Sequence, residues 1–225
     1  KLRPAIVLLA AGSGSRFGHS TNKVWLPLSG KTVICRTISN AHQAFPDARL
    51  LLVINPDDEA MARDILAKEI PNINIEITYG GTSRHGSEYQ ALMHLKNDIQ
   101  SGAIDVVLIH DGARPLASPD LYKKIAEMAV EKGGAIPTTT INPVEIDLNH
   151  DTQIVRVQTP QGFRAKELLT AYEKAEADGF IGTDTGACVE AYFPEIKAFA
   201  VEAEVSNLKI TYAQDLQLAE ALLKL

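Results

Sequence analysis

The run Ala10-Ala11-Gly12-Ser13-Gly14-Ser15-Arg16-Phe17-Gly18, with Asn22-Lys23 close behind it, is the part of this chain best suited to handling an anion. Glycines and small neighbours let a backbone wrap closely around a phosphate with its N–H groups turned inward. The spacing rules out two common nucleotide loops. A dinucleotide fingerprint needs glycine where Phe17 stands, and a Walker loop needs Gly-Lys followed by Ser or Thr. The segment instead carries Arg16 inside the bend and Lys23 just beyond it, two cations aimed where a nucleoside triphosphate would put its phosphates. A tight turn with two solvated cations is the plain alternative.

Two further segments have residue types that could serve a nucleotide. In Gly80-Gly81-Thr82-Ser83-Arg84-His85-Gly86-Ser87 a glycine pair precedes hydroxyls, which suits close contact with a base or ribose. A turn followed by a helix cap explains it nearly as well. In His110-Asp111-Gly112-Ala113-Arg114-Pro115 a carboxylate follows an apolar strand, where it could hold Mg²⁺ or a sugar hydroxyl. An Asp–Arg pair that merely closes the loop is the rival. Late in the chain come Gln158-Thr159-Pro160-Gln161-Gly162-Phe163, then Thr183-Asp184 with Glu190, then Asn207-Leu208-Lys209-Ile210-Thr211. Lys209 interrupts an otherwise apolar strand end, which is costly unless the ammonium meets an anion or reaches solvent. The histidines at 19, 42, 85, 94, 110 and 150 form no set, and none is assigned a catalytic role.

These residues need elements to position them. Apolar runs at Ala5 to Leu9, Leu50 to Ile54, Ile73 to Ile77 and Val106 to Ile109 predict strands, most of them too continuously apolar to have a wet face. Between them, helices are predicted at Val33 to Ala44, Asp58 to Ala67, Ser87 to Leu95 and Ser118 to Lys132. The last has Ser118 as N-cap, Pro119 at its first position and Gly133 past its end. Such alternation predicts a doubly wound sheet with ligands at the carboxyl ends of its strands. Beyond Gly134 the pattern is an extended stretch from Ala135 to Val157, helices near Lys166 to Ala177 and Ala187 to Tyr192, and a last helix from Ala213. Thr211 and Gln214 would form a capping box for that helix, which turns Leu216, Ala219 and Leu222 or Leu223 to one face.

With 225 residues, 45% hydrophobic and 22% charged, the chain is expected to be one globular domain, 1–225. No apolar run approaches the roughly 20 residues that cross a bilayer, so no membrane partner is expected. A net charge of −6 argues against a nucleic acid polymer as partner, and any phosphate site must be a local concentration of cations. Cys35 and Cys188 lack metal-ligand spacing and read as buried thiols of a reducing, cytoplasmic compartment. No signal-peptide core precedes Pro4.

In order, AAGSGSRFG, NKVWLPLSGK, GGTSRHGS, HDGARP, QTPQGF, TDTGACVE and NLKIT resemble the 2-C-methyl-D-erythritol 4-phosphate cytidylyltransferase family over nearly the whole chain. The resemblance implies an α/β, Rossmann-like nucleotidyltransferase fold: a mostly parallel central sheet with helices on both faces and a short β-arm near 138–158, used for homodimerisation. It implies transfer of CMP from CTP to 2-C-methyl-D-erythritol 4-phosphate, with Mg²⁺ held mainly by the CTP phosphates and no protein metal ligands. Arg16, Lys23 and Lys209 would be the catalytic cations. Ala10, Ala11, Gly12, Gly14, Gly81, Ser87 and Gly112 would line the CTP site together with Thr82, and Asp111, Arg114 and Thr183 would face the acceptor, a small phosphorylated polyol.

The chain departs from the family pattern at Asn22-Lys23-Val24, usually Pro-Lys-Gln, at Thr82, usually acidic, and at Asn142-Pro143-Val144-Glu145 in the arm. Thr139, Thr140 and Arg156 are the arm residues available to reach an acceptor. A ribitol 5-phosphate cytidylyltransferase is the alternative within the same chemistry. A nicotinamide-dependent oxidoreductase is disfavoured by Phe17. A non-catalytic nucleotide-binding module would not need both Arg16 and Lys23.

Overall fold

A computed structural model of the protein describes residues 1–12, 22–141 and 154–225. The strands are β1 (Pro4–Ala10), β2 (Pro27–Leu28), β3 (Lys31–Thr32), β4 (Arg49–Ile54), β5 (Glu76–Tyr79), β6 (Val106–Asp111), β7 (Gly134–Ile141), β8 (Ile154–Val157), β9 (Gln161–Arg164) and β10 (Phe199–Glu202). The helices are α1 (Val33–Ala44), α2 (Glu59–Glu69), α3 (Arg84–Ser101), α4 (Pro119–Lys132), α5 (Ala165–Asp178), α6 (Thr185–Tyr192) and α7 (Ala213–Leu222). None of the helices described is long and apolar enough to cross a membrane.

The main sheet runs β10-β7-β9-β6-β1-β4-β5, with β8 paired to β7. β1 is parallel to both β4 and β6, while β9 and β8 run antiparallel to their neighbours. The sheet is therefore mostly parallel, and β1 lies where successive crossovers leave in opposite directions. Period-two alternation explains the layers. Ile6, Leu8, Leu50 and Leu52 face one core with α1 and α4, and Ala5, Val7, Leu51 and Val53 face the other with α3 and α5. Every residue of β6 is buried: Val106 to Ile109 as a continuously apolar run demands, and His110 and Asp111 with polar partners.

Several boundaries differ from the sequence reading. The strand expected at Ile73 to Ile77 is Glu76–Tyr79; the segment before it instead turns, with the Ile73 N–H on the Ile70 carbonyl. Helices α2 and α3 are longer than expected, because Ser83 rather than a later residue caps α3 and Gly102 ends it with positive φ. Leu208 to Ile210 is extended but belongs to no strand, and β10 is an additional parallel edge strand on β7. The Thr211/Gln214 capping box does not form. The Asp215 carboxylate accepts from the Thr211 and Tyr212 N–H groups instead, one residue further on. Thr138–Ile141 pairs with Ile154–Val157 at the base of the expected arm, whose residues 142–153 lie outside those described.

The end of β6 is locked by His110, fully buried. Thr159 Oγ1 lies 2.8 Å from His110 Nδ1 and accepts the Asp111 N–H at 2.9 Å, and His110 Nε2 lies 3.2 Å from the Arg114 carbonyl. A neutral imidazole with its proton on Nε2 satisfies all of these contacts, and burial pushes its pKa down to about 4. The unfolded chain therefore binds the extra proton first, and the stability this group contributes is present above about 6.5 and lost as pH falls towards 4. Equilibrium urea unfolding across that range should show a loss of about 3 kcal/mol from this group. The slope should flatten in His110→Gln; an unchanged slope would show that another group titrates.

Ser118 gives a second test. Its hydroxyl accepts the Leu121 N–H at 3.1 Å and donates to Glu204, tying the start of α4 to the segment after β10. Ser118→Ala should cost about 1–2 kcal/mol in the same unfolding assay.

Candidate active site

The carboxyl ends of β1, β4 and β6 open onto a cavity of about 620 Å³. Its walls take Ala10, Ala11 and Gly12 after β1, Asn55 after β4, Gly81 to Arg84 and Ser87 at the start of α3, Asp111 to Ala113 after β6, and Lys23 and Lys209 from distant segments. Glycine is required here by close approach. A Cβ on Gly112 would lie 2.6 Å from the Leu9 carbonyl oxygen, and one on Gly81 would lie 2.8 Å from the Gly86 carbonyl carbon. Both turns bring backbone to the cavity edge that any side chain would push away.

Each cation reaches the cavity for a local reason. Asn22 is buried; its Nδ2 donates to the Ala10 carbonyl at 2.7 Å and its Oδ1 accepts the Val24 N–H at 3.4 Å. It thereby starts the short 3₁₀ turn Lys23–Trp25 beside the end of β1, with Val24 and Trp25 buried and Lys23 left at the cavity wall. At the other end of the chain, the Ile210 N–H donates to the Ala113 carbonyl at 2.8 Å and the Ile210 side chain is fully buried. Lys209, the residue before it, lines the cavity.

Asp111 is the hub of the charges. Its Oδ1 accepts from Arg84 Nη1 at 2.5 Å and its Oδ2 from Arg114 Nε at 2.9 Å, while Lys209 Nζ is 3.9 Å from Oδ2. Burial alone would raise its pKa, but Arg84, Lys209 and Arg114 more than offset that and hold the carboxyl well below the usual carboxylate range. Arg114 also donates to the Asn207 carbonyl at 2.7 Å, and Asn207 Nδ2 donates to the Thr159 carbonyl at 2.9 Å. The concentrated positive charge that a net-acidic chain needs in order to hold phosphates is therefore built at this edge of the sheet.

Of the residues singled out from sequence, Ala10, Ala11, Gly12, Lys23, Gly81, Thr82, Ser87, Asp111, Gly112 and Lys209 share the cavity wall. Gly14 and Arg16 lie outside the described residues. Arg114 and Thr183 do not line the cavity: Arg114 is engaged by Asp111 and Asn207, and Thr183 is exposed on the segment before α6. The Asp111–Arg114 pair, weighed from sequence as a loop closure, is formed. Ser87, read as a base or ribose contact, has its Oγ accepting the Gly81 N–H at 3.1 Å, so it also holds the glycine turn in shape. Sequence reasoning missed Arg84, Ser83, Asn22 and Asn55 as wall residues. A signal for Arg84 was present, since it opens a helix directly after a glycine pair at a strand exit.

The sequence model of the 2-C-methyl-D-erythritol 4-phosphate cytidylyltransferase family matches residues 5–225. Proteins of that name from Geobacillus kaustophilus and Bacillus velezensis are 32% and 34% identical to this chain, covering 96% and 97% of it and 95% of each relative. A crystal structure of 4-diphosphocytidyl-2C-methyl-D-erythritol synthase from Anaerococcus prevotii superposes with a TM-score of 0.81 at 29% identity, covering 100% of this chain and 97% of the other. The match runs along nearly the full length of this chain and of these relatives, and the chain belongs to the 2-C-methyl-D-erythritol 4-phosphate cytidylyltransferase family.

Proposed function

We propose that this nucleotidyltransferase moves CMP from CTP to 2-C-methyl-D-erythritol 4-phosphate and releases pyrophosphate. One observation carries the reading: Lys23 and Lys209, from opposite ends of the chain, line one cavity with the backbone turns at Gly12, Gly81 and Gly112. An oxygen of the acceptor phosphate attacks the α-phosphorus, the new P–O bond forms, and the bond to the β-phosphate oxygen breaks. The acceptor phosphate is already anionic near neutral pH, so no general base is needed. The barrier lies in bringing two anions together and in the charge that accumulates on the α-phosphoryl oxygens, which positioning and fixed cations lower.

In this reading Lys23, Lys209 and Arg16 stabilise the transition state, and Ala10, Ala11, Gly12, Gly14, Gly81, Thr82, Ser87 and Gly112 hold the nucleotide. Asp111, Arg114 and Thr183 serve the acceptor side, Asp111 by setting the arginines that face it. The cavity suits Mg²⁺ as a companion of the triphosphate. Its one carboxylate among the described residues is Asp111, and Mg²⁺ commonly binds through a single carboxylate plus substrate phosphates. The triphosphate would hold most of the ion with Asp111 beside it, and the ion's contribution would be to neutralise phosphate charge. The two cysteines, both free and buried, suit a cytoplasmic protein, and the β7–β8 pair suits an arm that contacts a second copy in a homodimer.

Pyrophosphate release should be measured with each of the four nucleoside triphosphates against methylerythritol phosphate, ribitol 5-phosphate and sugar 1-phosphates. CTP with the first acceptor is the expected pair, and preference for ribitol 5-phosphate would overturn the assignment of acceptor. Lys23→Ala and Lys209→Ala should each lower turnover by about 10²–10³, equivalent to roughly 3–4 kcal/mol, with thermal unfolding unchanged. Near-normal turnover in either variant would remove that lysine from the mechanism.

A further inference from the structure

Helix α3 lines the cavity with Arg84 and Ser87 and carries, towards α5 and α6, a separate enclosed polar cluster. Its centre is Glu88, 1% exposed. Oε1 of Glu88 accepts the Thr185 hydroxyl at 2.6 Å, Oε2 accepts the Tyr172 hydroxyl at 2.5 Å, and Arg84 Nε lies 3.4 Å from Oε1. Beside it His85 stacks on Tyr172 with ring centroids 4.9 Å apart and accepts the Gly182 N–H on Nδ1 at 3.2 Å. None of these contacts is explained by nucleotide binding.

A buried carboxylate is an expensive way to fill space, since apolar side chains of similar volume commonly give equal or greater stability. Two hydroxyls do not by themselves require an acid either, because an amide can accept from one with its oxygen and donate to the other with its NH₂. What the carboxylate adds is attraction to Arg84, the guanidinium that also grips Asp111. Burial raises the pKa of Glu88, so its charge depends on Arg84 remaining alongside.

The partners are arranged in a way that matters for the second substrate. Gly182 and Thr185 are the two ends of the segment Gly182-Thr183-Asp184-Thr185 that leads into α6, and both are tied to α3, one at His85 and the other at Glu88. Within the segment, Asp184 caps α6 by accepting the Ala187 N–H at 2.7 Å and takes Gln161 Nε2 at 3.2 Å. Thr183 is thus carried on a short span clamped at both ends to the helix whose other residues wall the nucleotide cavity.

We propose that Glu88 is a positioning residue whose carboxylate joins Arg84 at the cavity wall to Thr185, and so sets where the Gly182–Thr185 segment holds the acceptor relative to the nucleotide. This rests on the transfer reaction proposed above. Glu88→Gln keeps the size and one acceptor oxygen, puts an NH₂ donor in place of the other and removes the charge. In that variant kcat/KM for methylerythritol phosphate should fall roughly 10- to 100-fold, while the Kd for CTP measured without acceptor stays within about twofold. Thr185→Val should reproduce the same split and Thr185→Ser should restore wild-type behaviour; this pair decides the matter if Glu88→Gln does not fold. Equal losses in acceptor kcat/KM and CTP affinity, or no change in either, would overturn the proposal. Amide hydrogen exchange in the absence of substrates separates it from the functional reading. If the wild-type chain releases no pyrophosphate with any acceptor, the reaction is wrong, yet faster exchange at Gly182 and Ala187 in Glu88→Gln would still support the clamp and unchanged exchange would sink it.

Discussion

A carboxylate buried at the end of the central strand, Asp111, sets the terms for the rest of this structure. An ionised group in that position is tolerable only if opposite charges and hydrogen bonds replace the water it has lost. Those partners come from different parts of the chain: Arg84 from the first turn of α3, Arg114 from the loop after β6, and Lys209 from the segment before α7. Satisfying one acid therefore draws distant elements to one sheet edge. The same contacts hold guanidinium groups close together, which would repel one another without the acid between them. In the proposed reaction an entering phosphate would meet cations that are already oriented, which leaves little reorganisation for the reaction itself.

The sheet explains why this edge is the place. β1 has β4 on one side and β6 on the other, with helices leaving to opposite faces, so the loops after these strands diverge and leave a crevice between them. Two apolar layers, fed by alternating side chains of the same strands, fix the strand ends in register. The crevice is then walled by backbone wherever glycine allows close approach, at Gly81 and Gly112. His110 and Thr159 add a neutral hydrogen-bonded lock between β6 and the start of β9, beneath the charged hub. Charge at the rim and neutral polar pairing below it divide the work: in the proposed reaction the first meets the substrate, and the second holds the strand end in place.

A second buried acid, Glu88, lies one turn of α3 from Arg84, so that guanidinium sits between two carboxylates. One of them faces the cavity and the other faces the α5–α6 side. Substrate recognition at two subsites on different elements requires a fixed spacing between them, and a shared cation between two buried acids is a short, stiff way of setting it. Its stiffness comes from the low local dielectric, which makes each charge costly to leave alone.

Sequence alone was sufficient for whatever depends on local pattern. Continuous apolar runs identified β1, β4 and β6; Ser118, Pro119 and Gly133 delimited α4; and glycine and cation spacing picked out segments that wall the cavity, because these effects act between residues a few positions apart. Boundaries failed where a competing local contact won, as at Glu76–Tyr79 and at the Asp215 cap. Only the tertiary structure could decide that Lys209 shares a cavity wall with Lys23, that Arg84 rather than solvent answers Asp111, and that Glu88 is buried behind it. Those outcomes depend on which charges lose their water together, and that is determined by contacts between residues far apart in the chain, which no local pattern encodes.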